Sequence, residues 1–295
     1  MSKPESSRSG PLVEATGRSP RYNGAVTDLA ERRRVFRRLH ERGCFVIPNP
    51  WDLGSARVLM QLGFPALAST SGGFAWSLGQ QDNRVSLGDV LGHLRRLADG
   101  VSVPINADFE KGFAVEPDAV ARHAVRAAET GIAGLSIEDS TGDAADSLFE
   151  FTLAVERIRA ARQALDESPH RDAMVVGRSE GFITGRPDLA ETIRRLAAYA
   201  EAGAECVYAP GLRSLADIEA IVNAVAPTPV NVGAGTDFTT VAALAAVRVR
   251  RISVGGALAR AAWTGFLAAA QEIAERGTFE GLGRAIGGAE LNARF

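Results

Sequence analysis

The 295-residue chain is poor in several features that mark specialised proteins, and each scarcity removes a class of function. It has only two cysteines, Cys44 and Cys206, both inside apolar runs, so neither a disulfide framework nor a zinc site is expected. Its net charge of −2 gives no electrostatic reason to expect nucleic acid or a membrane surface as a partner. No apolar run reaches the roughly 20 residues that a spanning helix needs. The expected location is a reducing cytoplasm.

Histidine is also scarce, and none of its four copies stands at the end of a predicted strand. They fall in predicted helices or helix ends, so catalysis by histidine is not expected; they are His40, His93, His123 and His170. Residues 1–24 are rich in Ser, Gly, Pro and Arg and are predicted to be a disordered leader. Residues 25–295 are predicted to form a single domain with helices at its C-terminal end.

Apolar, strand-like runs alternate with amphipathic helices along most of the chain. Strands are predicted at Cys44–Ile47, Ala66–Ser69, Val103–Asp108, Gly134–Glu138, Met174–Arg178, Cys206–Ala209, Val230–Val232 and Arg251–Val254. Gly63, Gly131 and Gly203 stand between a predicted helix and the next strand, as helix C-caps do. Eight such units, preceded by a helix over Thr27–Arg42, predict an α/β fold, a (β/α)8 TIM barrel. A doubly wound sheet is the alternative.

A barrel places its functional residues at the carboxyl ends of the strands. The run Val103–Phe113 ends in Asp108 and Glu110, which on a strand would point to the same side. Glu138 ends the next predicted strand, roughly 5 Å away. Carboxylates this close repel one another unless a cation lies between them, and Mg2+, or Mn2+ in its place, prefers oxygen ligands. A solvated acidic loop, with Glu138 paired to an arginine, is the alternative.

Three further strand ends carry groups suited to an anionic substrate. Ser71, Gly72 and Gly73 are expected to form a nest of backbone N–H groups that binds a carboxylate or phosphate. Arg178 is expected to contact the substrate and to stabilise negative charge, and Asn231 to donate to a substrate oxygen. For Ser71–Gly73 the alternative is a plain turn, and for Arg178 it is a structural ion pair. Together these groups suit a small α-keto acid that chelates the cation and reacts through an enolate.

Five sequence runs resemble the isocitrate lyase/phosphoenolpyruvate mutase superfamily. They are Pro50–Arg57, Ser71–Asp82, Asn106–Phe113, Gly134–Asp139 and Gly177–Glu180. The resemblance implies a (β/α)8 barrel and a homodimer or homotetramer whose subunits exchange the last helix. It also implies a Mg2+ bound by Asp108, with Asp82, Glu110 and Glu138 around it through water.

Several positions depart from the pattern of that superfamily. The lyases carry a Lys-Lys/Arg-Cys-Gly-His loop after Asp139, and the mutases carry Lys and Asn there; the loop Ser140–Ser147 has none of these residues. Ser69 replaces an aromatic residue, and Gly211 replaces a glutamate of the methylisocitrate lyases. Glu180, Asp143 or Asp146 is therefore expected to move the proton.

Three hypotheses remain. The first is a Mg2+-dependent lyase or decarboxylase that cleaves a carbon–carbon bond of a small α-keto or 2-hydroxy (di)carboxylate. The second is carbon–phosphorus chemistry of the phosphoenolpyruvate mutase type. The third is a barrel that binds keto acids without turning them over.

Overall fold

The computed structural model describes residues 28–295, and its centre is one eight-stranded parallel sheet. The strands are β1 (Phe45–Ile47), β2 (Leu67–Ala68), β3 (Ile105–Asp108), β4 (Gly134–Glu138), β5 (Met174–Arg178), β6 (Cys206–Tyr208), β7 (Val230–Gly233) and β8 (Arg251–Ser253). Each strand pairs with its neighbour in sequence from β2 to β8, and β8 pairs with β1. A backbone hydrogen bond from Ala68 N to Pro48 O (3.1 Å) joins the two remaining edges. The predicted TIM barrel is confirmed.

Helices alternate with these strands on the outside of the barrel. They are α1 (Leu29–Glu41), α2 (Leu53–Gln61), α3 (Ser71–Ser77), α4 (Leu87–Gly100), α5 (Pro117–Ala128), α6 (Phe151–Asp166), α7 (Leu189–Glu201), α8 (Leu215–Ala224), α9 (Val241–Ala246), α10 (Ala257–Arg276) and α11 (Gly288–Asn292), with a 3-10 turn at Glu280–Arg284. The extra N-terminal helix and the C-terminal helices were both predicted. The predicted leader, residues 1–24, lies outside the described residues, and the division into domains stays a prediction.

The glycines between helices and strands have the predicted backbone role. Gly63, Gly131 and Gly203 have φ of 89°, 94° and 103°, a left-handed region that a side chain would disfavour. They let the chain reverse from helix to strand within one or two residues. The short helix α3 was not predicted. Thr70 caps it, because its side chain accepts a hydrogen bond from the Gly73 N–H (3.3 Å).

Alternation along the strands separates an apolar outer face from a polar inner one. Ala107, Leu135, Ile137 and Val207 are fully buried in the main apolar core. Asn106 and Asp108, one residue before and after Ala107, point to the other side of β3. The inner face therefore carries polar side chains, most of them near the carboxyl ends of the strands. Within residues 28–295 no helix has both the length and the apolarity to cross a bilayer.

Candidate active site

Arg178, the last residue of β5, is the centre of an ion-pair cluster at the carboxyl rim of the barrel. Its Nη1 lies 3.0 Å from Asp108 Oδ1 and 3.4 Å from Glu138 Oε2, and its Nε lies 2.5 Å from Glu180 Oε1. The Arg178 guanidinium also lies 5.3 Å from the centre of the Tyr208 ring. Strands β3, β4 and β5 are neighbours, so the barrel brings together carboxylates that are far apart in sequence.

Asp108 is held by the end of β2 as well as by Arg178. Its Oδ2 accepts a hydrogen bond from the Ser71 N–H (3.0 Å), and its own N–H donates to Ser69 Oγ (2.8 Å). Ser69 stands where related proteins are expected to have an aromatic residue. Its hydroxyl fixes the backbone of Asp108, so the substitution has a structural use in this chain.

The predicted anion nest at Ser71–Gly73 is wrong in its conformation. Gly72 and Gly73 lie in α3 and lack the positive φ that such a nest requires. The N–H groups of Ser71 and Gly73 are already bound, to Asp108 and Thr70. The glycines allow close packing instead. A Cβ on Gly72 would lie 3.1 Å from Asp82 Oδ2, and one on Gly73 would lie 2.6 Å from Thr70 Cγ2.

Glu110 reaches the cluster by a route that strand alternation did not predict. Strand β3 ends at Asp108, and Glu110 lies in the following turn with φ of 47°. The i, i+2 argument from a strand is therefore wrong for this pair. Glu110 is nevertheless buried, and its surroundings include Asp108 and Asp82.

Arg157 on α6 holds the two loops that carry the acidic residues. This buried guanidinium donates to the backbone oxygens of Glu138 (3.1 Å), Ala114 (3.0 Å) and Lys111. Lys111 Nζ in turn donates to Thr141 O (2.6 Å), across the β3 and β4 loops. The positions of Glu110 and Glu138 thus depend on a shared set of backbone contacts.

The cluster holds more negative than positive charge. Burial, together with repulsion from Asp108 and Asp82, raises the pKa of Glu110 to about 8. Burial also raises the pKa of Asp82 and that of Glu138, although Arg178 partly offsets the effect on Glu138. Burial lowers the pKa of Arg178, but Glu180, Glu138 and Asp108 outweigh it and raise the net value. One guanidinium contacts three carboxylates, and two more lie close by.

That donor set fits a hard divalent cation. Four carboxyl groups converge here, those of Asp82, Asp108, Glu110 and Glu138, and Mg2+ prefers oxygen ligands. The raised pKa values indicate that an added positive charge would stabilise the ionised forms. Within residues 28–295 no three Asp, Glu, His or Cys side chains are already arranged as direct ligands. Mg2+ usually takes only one or two carboxylates directly and keeps several waters.

A cavity of about 160 Å3 lies beside the cluster, inside the mouth of the barrel. The predicted site residues that line it are Ser71, Gly72, Asp82, Asp108, Arg178 and Asn231. Pockets for drug-sized ligands are larger, roughly 300–1,000 Å3, so this volume suits a substrate of a few carbon atoms. Among the described residues no histidine lines this cavity, as the sequence indicated.

Other predicted residues lie apart from the cavity walls. Glu180 is buried behind Arg178, and Gly73 is buried against Trp51 and Thr70. Asp143 lies in the exposed loop after β4, where its Oδ1 accepts the Ala145 N–H (2.9 Å). The roles of these three residues stay predictions.

Sequence reasoning missed five polar residues of the cavity, and one of them is Ser136 on β4; the other four are more informative. They are Asn106, Tyr208, Arg251 and Ser253. Tyr208 and Ser253 each end a strand, so their positions were a usable signal. Asn106 and Arg251 lie two residues before a strand end, where the sequence was not searched for polar groups.

The fold and this cluster define a class: (β/α)8 barrels with an acidic, arginine-containing centre at the carboxyl rim. Within that class, a family model described as phosphoenolpyruvate phosphomutase matches residues 36–274. The chain belongs to this family. The superfamily resemblance found in the sequence is confirmed.

Three similar proteins illustrate the range of the family. An uncharacterised protein of Mycobacterium tuberculosis H37Rv is 33% identical over 88% of this chain and 95% of its own. The 2-methylisocitrate lyase of Escherichia coli K12 is 33% identical over 63% of this chain and 65% of its own. A crystal structure of a candidate lyase/mutase from Burkholderia cenocepacia J2315 is 44% identical, with a TM-score of 0.85 over 90% of this chain and 95% of that one.

Other matches include oxaloacetate decarboxylases and phosphoenolpyruvate phosphomutases. The family thus contains lyases, decarboxylases and mutases, typically dependent on magnesium.

Proposed function

We propose that the protein is a Mg2+-dependent lyase or decarboxylase that cleaves a carbon–carbon bond of a small α-keto or 2-hydroxy acid through an enolate. The observation that carries this proposal is the convergence of Asp82, Asp108, Glu110 and Glu138 with Arg178 beside a small cavity. Glu110 and Glu138 are buried carboxyl groups with raised pKa values at the carboxyl rim, which is typical of a catalytic site rather than of a structural one.

Asp108 would be the direct ligand of the ion, with Asp82, Glu110 and Glu138 binding its water molecules. When bound, Mg2+ would supply Lewis-acid polarisation of the keto or hydroxyl oxygen. The chain's own residues hold these carboxylates in place through Ser71 N–H, Ser69 Oγ and Arg157. Mn2+ should substitute, because it accepts the same oxygen ligands.

The substrate would lie between Arg178 and Asn231, with Ser71 and Gly72 on the third side of the cavity. Arg178 is always charged, so it can stabilise the negative charge that develops when the carbon–carbon bond breaks. Its partners fix it in one position before the substrate arrives, which reduces reorganisation during the reaction.

The proton that completes the reaction has three candidate carriers. Glu180 is buried against Arg178, and burial raises its pKa although Arg178 opposes the shift. Asp143 would need its loop to move toward the cavity. Tyr208 lines the cavity, and burial raises the pKa of its hydroxyl, so it remains an O–H donor at neutral pH. We favour Tyr208 as donor, because it already faces the substrate space.

A panel of oxaloacetate, malate and citrate analogues tests the activity. Pyruvate or glyoxylate should be released with Mg2+ and not with EDTA, and Tyr208→Phe should slow release by roughly 100-fold, the scale of general acid catalysis. The control is Tyr199→Phe, since the Tyr199 hydroxyl instead donates to Asp139 (2.7 Å), outside the cavity lining. Absence of any Mg2+-dependent product would count against the lyase. Tight oxalate binding without turnover would favour a binding barrel.

Carbon–phosphorus chemistry is the second candidate, because the matching family model carries the phosphomutase description. Against it, the loop Ser140–Ser147 lacks the Lys and Asn that the resemblance leads one to expect. Phosphorus NMR with phosphoenolpyruvate and phosphonopyruvate decides between them. Interconversion of the two would replace the lyase proposal.

We also propose that the protein assembles as a homodimer or homotetramer through its C-terminal helices. Trp263, Phe266 and Leu267 of α10 are 39%, 60% and 47% exposed, and Phe279 and Phe295 are each 63% exposed. Large apolar side chains grouped in this way mark interaction surfaces. Light scattering should give two or four chains, and Phe266→Glu should reduce that number. A monomeric wild-type protein would refute the assembly.

A further inference from the structure

A continuous row of polar residues crosses five strands of the barrel. In the strand registers Glu138 pairs with Arg178, Arg178 with Tyr208, Tyr208 with Asn231, and Asn231 with Arg251. Residues paired in register point to the same side of a sheet, so this row faces the interior. Arg178 stands near one end of the row and Arg251 at the other, and the proposed function uses only the first arginine.

Arg251 is a buried cation without an acidic partner. It is 2% exposed, and it lines the same cavity as Asp108 and Arg178. Its Nε donates to Asn231 Oδ1 (2.9 Å) and its Nη1 to Asn106 Oδ1 (3.4 Å), both neutral oxygens. Within residues 28–295 no carboxylate lies within ion-pair distance of it, although Arg178 has three. Two hydrogen bonds leave most of the five guanidinium N–H donors without a strong acceptor.

Burying an unpaired charge is costly, so such a group needs an explanation. The titratable groups around Arg251 do not provide one: His40 comes from α1 and Cys206 and Tyr208 from β6, and none of these is a carboxylate. Burial lowers the pKa of Arg251, which agrees with a charge that lacks compensation.

Two other buried arginines donate to backbone oxygens and lie outside the cavity. Arg157 donates to three backbone oxygens, two of them at 3.0 and 3.1 Å, and its guanidinium lies 4.0 Å from the Phe149 ring. Arg33 donates to the backbone oxygens of Ile132 (3.1 Å) and Ala128 (2.9 Å). Neither of them lines the barrel cavity. Arg251 differs in both respects, since it lies at the cavity and has only side-chain amides as acceptors.

We propose that Arg251, together with Asn231, forms a second anion subsite that binds the distal carboxylate or phosphoryl group of the substrate. The inference rests on the proposed function, which places the α-keto or 2-hydroxy acid end at Asp108 and Arg178. It makes the substrate a dianion with its charges at the two ends of a short carbon chain. The sequence resemblance assigns no role to this position.

The geometry of the strands supports a subsite at this depth. Arg251 and Asn106 each lie two residues before a strand end, at Ser253 and Asp108. Two residues on a strand span roughly 6.6 Å, so these side chains start about that far below the rim. Asn231 links the levels, because its Oδ1 accepts from Arg251 while its Nδ2 donates to Ser253 Oγ (2.9 Å). A substrate with only one anionic end, bound at the rim, would leave Arg251 without an anionic partner.

Direct calorimetric titrations with Mg2+ present test the subsite. The probes are oxalate, which has no distal group, and three 2-hydroxy acids: malate, 2-hydroxy-3-phosphonopropanoate and 2-hydroxybutyrate. The last replaces the distal anion by a methyl group. A charge-assisted contact with arginine should make malate or the phosphonate bind about 10- to 100-fold tighter than 2-hydroxybutyrate. Whichever anion gains more identifies the distal group as carboxylate or phosphoryl.

The variants Arg251→Met and Arg251→Lys show whether the preference depends on this residue. Arg251→Met should remove the preference and leave oxalate affinity unchanged, and Arg251→Lys should keep part of it. Retained oxalate binding also shows that a variant is folded. Arg33→Met, which removes a buried arginine outside the barrel, is the matched control and should keep the full preference.

The outcomes separate this inference from the proposed function. Oxalate binding without any preference for a distal anion in the wild-type protein would overturn the subsite alone. A preference that survives in Arg251→Met would overturn it as well. If Arg251→Met does not fold, Arg251→Lys takes its place in the test. Lysine lacks the planar fork of arginine, so an undiminished preference for a distal anion in Arg251→Lys would also overturn the subsite. Failure of oxalate to bind with Mg2+ would instead contradict the proposed function.

Discussion

Replacing Asp108 by asparagine should abolish the stabilisation of this protein by Mg2+. The change removes the charge of the proposed direct ligand but keeps its size. An asparagine can still accept one of the two hydrogen bonds that Asp108 accepts, from Arg178 (3.0 Å) or from Ser71 (3.0 Å). The loss of the other costs about 1–3 kcal/mol, and relief of repulsion with Glu110 offsets part of it. The variant should therefore fold.

The expected size of the effect follows from linkage. At a Mg2+ concentration 100-fold above its Kd, the wild-type protein gains about 2.7 kcal/mol in its free energy of unfolding. For a chain of this size that raises the Tm by roughly 4–5 °C. If Asp108→Asn weakens Mg2+ binding about 100-fold, the same concentration only equals the new Kd. The gain then falls to about 0.4 kcal/mol, or roughly 1 °C.

Thermal unfolding with Mg2+ and with EDTA measures this difference. Asp143→Asn is the matched control, since Asp143 lies in the exposed loop after β4 and should keep the wild-type shift. A full Mg2+ shift in Asp108→Asn would refute the assignment of this residue. So would a wild-type protein whose Tm does not respond to Mg2+.

Three more changes probe other parts of the account. Arg178→Lys keeps the charge but loses the planar fork, so kcat should fall at least roughly 100-fold with the Tm little changed; a fall under tenfold would contradict its role. Gly72→Ala places a Cβ 3.1 Å from Asp82 Oδ2 and should weaken Mg2+ binding by roughly tenfold, whereas Gly92→Ala, which meets nothing within 4 Å, should not. Burial lowers the pKa of His40 to about 3. His40 therefore stays neutral in the folded state while the unfolded chain takes up a proton, and its contribution to stability is complete above pH 6.5 and declines toward pH 3. Urea titrations should show a loss of about 1 kcal/mol per pH unit below 6.5 that is absent in His40→Leu; an equal slope in both would contradict the shift.

The barrel could be predicted because buried parallel strands leave a plain mark in the sequence. The runs that lead to Asp108, Glu138 and Arg178 are mostly apolar, and each ends at that charged residue. That ending located Asp108, Glu138 and Arg178 correctly at the rim. The predicted bounds of β4 and β5 agree fully with the structure. Those of the other strands differ by one or two residues at an end.

The local conformations at the rim were harder to predict. Gly72 and Gly73 were interpreted as a nest, but they serve close packing against Asp82 and Thr70, which only tertiary contacts determine. The cap at Thr70 was the available signal for α3. Glu110 has a left-handed φ that its residue type disfavours, so no propensity argument could place it in a turn.

Arg251 was overlooked for a different reason. Functional residues were sought only at the carboxyl ends of strands, and Arg251 begins β8. An arginine in a predicted barrel strand is unusual enough to be a signal in itself, because burial of a charge is costly. Whether the charge faces a helix or the barrel interior depends on the register, which the sequence alone does not supply.

The position of a bound cation can be measured in a crystal. Anomalous diffraction from crystals soaked with Mn2+ and oxalate locates the ion without reference to activity. One peak is predicted within coordination distance of Asp108, with Glu110 and Glu138 reached through water and oxalate chelating the same ion. A peak elsewhere in the barrel, or oxalate bound with no ion beside Asp108, would contradict the account.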